Sequence, residues 1–282
     1  MNPLVELHAF GQSFWYDNIR RKYLQDGSLQ NLIDNDGLRG MTSNPSIFDK
    51  AIGSSDDYDA QMAQLVAAGA STEDIYEKLV ITDIQMACDI FAPLYAESEG
   101  GDGYVSLEVS PRLARDTEGT IHEARALFAA VNRPNLMIKV PATPEGIPAI
   151  QQLISEGINI NITLMFNMTH YEAVAQAYMN GLSQLIEKGG DPGKVASVAS
   201  FFVSRVDSAV DKQVAEVGGL AAESFAGKAA IANSKVVYKR FKELFHAGPF
   251  LPLQAARRQA AAAAVGFHQH QKSSVSGHHV CG

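Results

Sequence analysis

Lys139 sits in the run Leu136-Met137-Ile138-Lys139-Val140-Pro141, a single ammonium group with apolar residues on both sides. Such a run reads as a short buried strand. Burial disfavours the charged form of a lysine, so an amine held there is drawn toward its neutral, nucleophilic state. Facing a cavity, that amine can attack a ketone, form a Schiff base and store electrons while a carbon–carbon bond breaks. The plainer reading is an edge-strand lysine, or one whose stem lies on apolar surface while its head reaches water.

Other polar residues fall at comparable places along the chain. Asp17 follows Ser13-Phe14-Trp15-Tyr16, Asn44 follows Leu38-Arg39-Gly40-Met41-Thr42-Ser43, and Glu108 lies near the end of Tyr104-Val105-Ser106-Leu107-Glu108-Val109. Asn161 and Thr163 share one face of Ile158 to Phe166, and Ser200 and Arg205 flank the end of Val195 to Phe202. Each has an ordinary explanation too. Asp17 can cap a helix starting at Ile19. Asn44 before Pro45 is common turn chemistry. Asn161 and Thr163 can be satisfied polar groups within a strand, and Arg205 can pair with Asp207 or Asp211 on a helix surface.

The elements that must position these residues alternate. Strand candidates at 13–16, 38–42, 104–109, 136–141, 158–166 and 195–202 are separated by helical stretches. The main helices are expected at 47–68, 71–96, 116–131, 144–156, 170–188, 203–217 and 221–245. Ser71-Thr72-Glu73-Asp74 reads as a helix N-terminal cap. Alternating strands and helices, with the later strands short and apolar, predict an α/β protein with a parallel sheet under helices. A barrel and an open doubly wound sheet both remain compatible. No Gly-x-Gly-x-x-Gly turn follows a strand, which argues against dinucleotide binding. In a barrel the chemistry sits at the C-terminal ends of the strands, and these polar residues fall there or on inward faces.

A length of 282 residues suits one large domain, and 46% hydrophobic with 19% charged residues is ordinary for a globular chain. The formal charge of −8, without a basic patch, argues against a nucleic-acid partner. No apolar run is read as long enough to span a membrane, and the N-terminus lacks the layout of a signal peptide. The two cysteines, Cys88 and Cys281, are too few for a disulfide framework, so a cytoplasmic setting is expected.

Five segments together resemble the transaldolase family. They are Thr42-Ser43-Asn44-Pro45-Ser46-Ile47-Phe48, Val105-Ser106-Leu107-Glu108-Val109, Ile138-Lys139-Val140-Pro141-Ala142-Thr143 with Glu145-Gly146, Asn159-Ile160-Asn161-Ile162-Thr163-Leu164, and Ser200-Phe201-Phe202-Val203-Ser204-Arg205. The resemblance covers about residues 1 to 245, and Asn2-Pro3-Leu4-Val5 with Ser13 to Asp17 is similar to the longer bacterial and plant form. It implies a class I aldolase-type (β/α)8 TIM barrel. It also implies transfer of a dihydroxyacetone unit from sedoheptulose 7-phosphate to glyceraldehyde 3-phosphate, in the pentose phosphate pathway. By that resemblance Lys139 is the Schiff-base lysine. Glu108 shuttles protons through a water held by Thr163, and Asp17 is the acid/base at the hydroxyl beside the breaking bond. Asn44 and Asn161 hold hydroxyls of the three-carbon unit, Ser200 lies in the pocket, Phe202 walls it, and Arg205 binds phosphate. Sugar phosphates are the implied partners. No metal or organic cofactor is implied.

The chain departs from the family near its end. No acidic residue occurs from Leu244 to Gly282, which holds five of the eight histidines and the run Ala260 to Ala264. The barrel is therefore expected over 1–250 but incomplete, with about six βα units and its last strands missing. Residues 251–282 read as a low-complexity, unstructured tail. Family members continue with a strand close to Q-R-P-L-W-A-S-T-S-T-K. A gene for that strand, read out of phase, yields A-A-A-A-V-G-F-H-Q-H-Q-K, and Ala261 to Lys272 carries that sequence. The expectation is a frameshift near 245–258. His268-x-His270 and His278-His279-x-Cys281 have metal-ligand residue types, but no element fixes their geometry, so no metal site is assigned. An incomplete barrel would expose strand edges and wet its core, making the chain aggregation-prone and a weak catalyst. Resequencing the gene across codons 245–258 checks the frameshift. A reading-frame change is expected there, and one intact frame ending in these residues refutes it.

Overall fold

The computed structural model describes residues 2–219, 224–246, 248 and 250–260. Its centre is a sheet of six parallel strands, β1 (Phe14–Asp17), β2 (Leu38–Thr42), β3 (Tyr104–Glu108), β4 (Leu136–Pro141), β5 (Ile160–Met165) and β6 (Ser197–Phe201). Neighbours in the sheet follow chain order, β1-β2-β3-β4-β5-β6, without the reversal that defines a doubly wound sheet. The open alternative is thereby set aside.

Side-chain contacts show that the sheet curls. Trp15 of β1, Tyr104 of β3, Met137 of β4 and Val198 of β6 belong to one apolar cluster, although β1 and β6 are at opposite edges of the sheet. Higher up, Asn161 of β5 bonds Ser106 of β3 across the intervening β4. Only side chains converging on a concave face reach each other this way. The six units form the larger part of a (β/α)8 barrel. Among the described residues β1 pairs only with β2 and β6 only with β5, so the ring is not closed.

The convex face is covered by helices over the main core, where Leu38, Val105, Leu107, Ile138, Ile160 and Ile162 alternate with the inward residues. Thr72–Glu97 is the longest helix, opened by the expected capping box of Ser71 with Asp74. By length and composition it is apolar enough to cross a membrane, contrary to the sequence expectation. Its apolar residues Leu79, Val80, Ile84, Ala87, Cys88 and Phe91 are instead buried within the protein.

The single helix expected over 47–68 is two, Pro45–Gly53 and Asp59–Ala67. The interruption at Ser54-Ser55-Asp56-Asp57 has residues that compete for backbone hydrogen bonds, and both serine hydroxyls donate back to carbonyls of the preceding turn, at Lys50 and Ala51. The break also turns Tyr58 inward. There its hydroxyl donates to Asp83 at 2.8 Å, while Arg21 Nε meets the other carboxylate oxygen at 2.7 Å, all three side chains buried. This closed group ties the segment after β1 to the long helix.

Packing continues past Leu244, where the composition changes. Phe245 and Phe250 are fully buried and meet edge-to-face at 5.0 Å, and Phe250 stacks on Tyr178 of the helix Met168–Glu187. A helix at Leu251–Ala260 follows, within the stretch expected to be an unstructured tail. The histidine-rich segment 261–282 lies outside the described residues.

At the N-terminal end of the strands, Gly40 lies under the indole of Trp15, the chain's only tryptophan, and a Cβ there would overlap the ring. The indole N–H donates to Ser13 Oγ, and Asp102, which accepts from Ser13, also pairs with Arg39 at 2.6 Å. Gly40→Ala is expected to destabilise the fold by about 1–3 kcal/mol through overpacking. Urea denaturation followed by Trp15 fluorescence measures this, and an unchanged midpoint would contradict the packing described.

Candidate active site

Parallel pairing puts Glu108 opposite Lys139, and Lys139 opposite Asn161, so three adjacent strands present one polar residue each at the same height. Lys139 is 8% exposed. Its ammonium lies 3.1 Å from Glu108 Oε2 and donates to the Ser43 carbonyl at 3.4 Å. β4 lies between β3 and β5, so the edge-strand reading of this lysine does not hold, and neither does a head group reaching bulk water.

Asn161 is almost fully buried, and both ends of its amide are used. Nδ2 donates to Ser106 Oγ at 3.0 Å, and Oδ1 accepts from Ser200 Oγ at 2.8 Å. This chain runs from β3 across β4 and β5 to β6. Thr163 behaves differently. Its hydroxyl is buried and has no protein partner. The strand bulges beside it, with the register shifting between Ile162 and Met165 and Leu164 at φ +61°, a left-handed conformation that a leucine seldom adopts. Backbone strain next to an unpaired buried hydroxyl is a common signature of a working site.

Asp17 ends β1 and is exposed, accepting from Thr42 Oγ1 at 2.6 Å. It does not cap the following helix, Arg21–Gln25, whose first turn has no side-chain cap. Asn44 does cap the helix Pro45–Gly53, accepting from the Ile47 amide at 3.0 Å, which leaves its amide nitrogen for other partners. Phe202 follows β6 and stacks on Phe166 with ring centroids 5.5 Å apart. Arg205 makes neither ion pair anticipated as its ordinary role. Its guanidinium lies 4.6 Å from the Phe202 ring centroid, while Asp207 and Asp211 accept from the backbone amides of Ala230 and Gly227.

Of the nine proposed site residues, Asp17, Asn44, Glu108, Thr163, Ser200, Phe202 and Arg205 fall in the C-terminal halves of strands or just beyond them, Lys139 lies mid-strand in β4, and Asn161 is the second residue of β5. Ser106 and Ser43 were not singled out. Ser106 was recoverable, because it lies two residues before Glu108 on an alternating strand and so shares its face. The role of Ser43 is carried by its carbonyl and has no side-chain signal.

Among the described residues, a cavity of about 510 Å³ also opens beside Glu108 and Asn44. Phe48, Val80, Leu107 and Leu127 are its buried apolar lining, and Glu77 and Glu123 are on its wall. Burial, with Glu77 nearby, holds the Glu123 carboxyl above the usual carboxylate range.

The sequence model of the family described as Transaldolase/Fructose-6-phosphate aldolase matches residues 14–268. The chain belongs to that family. The protein named Transaldolase from Trichodesmium erythraeum is 46% identical over 262 residues, covering 90% of this chain and 69% of that protein. A Transaldolase from Thiobacillus denitrificans is 48% identical over 257 residues, covering 91% of this chain and 71% of its own length. Membership makes this chain an enzyme, a transferase of carbohydrate metabolism, on the barrel fold seen in its sheet.

Ser106→Ala removes the acceptor for a buried amide N–H of Asn161. The expected cost is about 1–3 kcal/mol of stability, read from denaturant unfolding. A variant as stable as the parent would mean that Asn161 finds another partner.

Proposed function

We propose that the chain is a transaldolase, moving a dihydroxyacetone unit from sedoheptulose 7-phosphate to glyceraldehyde 3-phosphate through a Schiff base on Lys139. The observation that carries this reading is the contact of 3.1 Å between the buried Lys139 ammonium and Glu108. Glu108 is placed to accept a proton from that ammonium, which frees the nitrogen lone pair. The amine adds to the donor ketone to give a carbinolamine. Glu108, through a water shared with the unpaired Thr163 hydroxyl, then protonates the leaving hydroxyl, and water departs as the iminium forms.

Asp17 takes the proton from the hydroxyl beside the bond to be broken. The bond cleaves, the aldose phosphate leaves, and the electron pair passes into the imine to give an enamine on Lys139. Adding that enamine to the acceptor aldehyde and reversing the first steps releases product and restores the amine. Asn161, locked by Ser106 and Ser200, and Asn44 through its remaining amide nitrogen orient hydroxyls of the three-carbon unit. Phe202 walls the pocket. Arg205, stacked on that ring and unpaired with its aspartate neighbours, takes the substrate phosphate. The lysine is the electron sink throughout, and a cytoplasmic setting follows from the substrates.

A second reading is an aldolase that releases free dihydroxyacetone, favoured by the family description, which covers both activities. Dependence of product formation on the acceptor separates the two. Borohydride reduction of the 282-residue chain with sedoheptulose 7-phosphate is expected to add one reduced three-carbon unit at Lys139. Lys139→Ala is expected to lower turnover by about a thousandfold or more. A folded chain that binds sugar phosphate without labelling would leave only a binding function.

A further inference from the structure

The exit of β3 is held at three successive residues. Glu108 Oε2 contacts the Lys139 ammonium at 3.1 Å, and the Val109 amide donates to the Lys139 carbonyl at 3.1 Å. The Ser110 amide donates to Glu123 Oε2 at 2.7 Å. The first two ties belong to the strand pairing itself. The third comes from a different layer, since Glu123 lies on the helix Thr117–Val131, whose Ile121, Ala124 and Leu127 are buried in the core. Pro111 follows at once and donates nothing, so the Ser110 amide is the last backbone donor that can fix the strand end before the chain turns away.

Glu123 keeps this bond at a cost. It is half-buried, and burial raises its pKa, so its charged form is disfavoured where it stands. The charged groups lining the same cavity are Glu73 and Glu77 of the long helix, Glu108 itself and Arg112 of the turn at Pro111–Leu113. Three carboxylates against one guanidinium do not compensate for the burial of a fourth. A surface-facing role would not require that arrangement, whereas holding a backbone amide at a fixed place does.

We propose that Glu123 is a positioning residue for the reaction. Its carboxylate anchors the Ser110 amide and thereby keeps the Glu108 side chain aimed at Lys139. This rests on the transaldolase reading for its kinetic consequence, and on geometry alone for the anchor. A glutamine retains a carbonyl acceptor of the same reach, while a leucine keeps the packing and removes the acceptor.

The test compares Glu123→Gln and Glu123→Leu in the full 282-residue chain. Glu123→Leu is expected to lower kcat and the rate of borohydride trapping at Lys139 together by about tenfold, with KM for both sugar phosphates within about twofold. Glu123→Gln is expected to restore most of both rates. In parallel, hydrogen exchange at the Ser110 amide is expected to accelerate in the leucine variant and not in the glutamine variant. Unchanged Ser110 exchange in Glu123→Leu overturns the anchor. Accelerated exchange with unchanged kcat, or a change confined to KM, overturns its positioning role. If the parent chain shows no trapping at all, the transaldolase reading fails and the exchange measurement still decides the anchor.

Discussion

Everything in this site depends on a lysine and a glutamate facing each other on adjacent parallel strands inside a curved sheet. Register sets the pair, because Glu108 and Lys139 are direct partners in the β3–β4 ladder. Curvature makes it useful. On a flat sheet both side chains would stand parallel and apart from the rest, whereas here Ser43, two strands away from Lys139, brings its carbonyl to 3.4 Å of the ammonium. Burying two opposite charges costs desolvation that their attraction rarely exceeds. Such a pair is a poor device for stability and a good one for chemistry. The energy that sustains it comes from the apolar residues of β3, β4 and β5 on the opposite face, which are sealed under helices.

The concave face is layered by chemistry. At the N-terminal ends of the strands, Trp15 over Gly40, with Tyr104, Met137 and Val198, fills the space with apolar volume. Above it Asn161 is held at both ends of its amide, by Ser106 and Ser200, which fixes its orientation. Nearer the strand ends stand groups with capacity for a ligand: the Thr163 hydroxyl, the Asn44 amide nitrogen and the Arg205 guanidinium. These groups lie toward the strand ends, the direction in which a barrel presents its site to solvent. The bulge at Leu164 fits this order, because a regular β5 would carry Thr163 on an unstrained ladder.

Much of this was legible in the amino-acid order, and the parts that were not share a cause. All six strands lie within a residue or two of their expected positions, and β3 to β6, buried almost throughout, leave short apolar runs that few other structures share. The polar residues singled out drew notice for the same reason, since a lysine or asparagine interrupting such a run needs explaining. What failed depended on neighbours distant in sequence. Nothing near Asp207 and Asp211 says that they will bond the backbone amides of Ala230 and Gly227, 23 and 16 residues on, and so leave Arg205 to the Phe202 ring three residues before it. The continuous helix expected at 47–68 ignored Tyr58, whose place beside Arg21 and Asp83 is a tertiary fact. The barrel itself could not be told from a doubly wound sheet, because strand order is not a local property.

Asn44 shows why a structural role and a functional one need not compete. Its Oδ1 caps a helix, which fixes the side chain at low entropic cost, in the wall of a cavity that Glu108 also lines. Ser106 follows the same logic, spending its backbone carbonyl on Ser43 and its hydroxyl on Asn161, and so joining β2, β3 and β5 through one small residue. A site built from groups that also hold the fold together is stiff without needing extra packing. It also transmits damage, because loss of any such bond disturbs both the fold and the aim of a reacting group. The β3 exit concentrates such contacts, since consecutive residues there bear the carboxylate facing Lys139, a ladder bond and a bond to the helical layer. The strand end that carries Glu108 is therefore tied to the helical layer, through Glu123, as well as to the sheet.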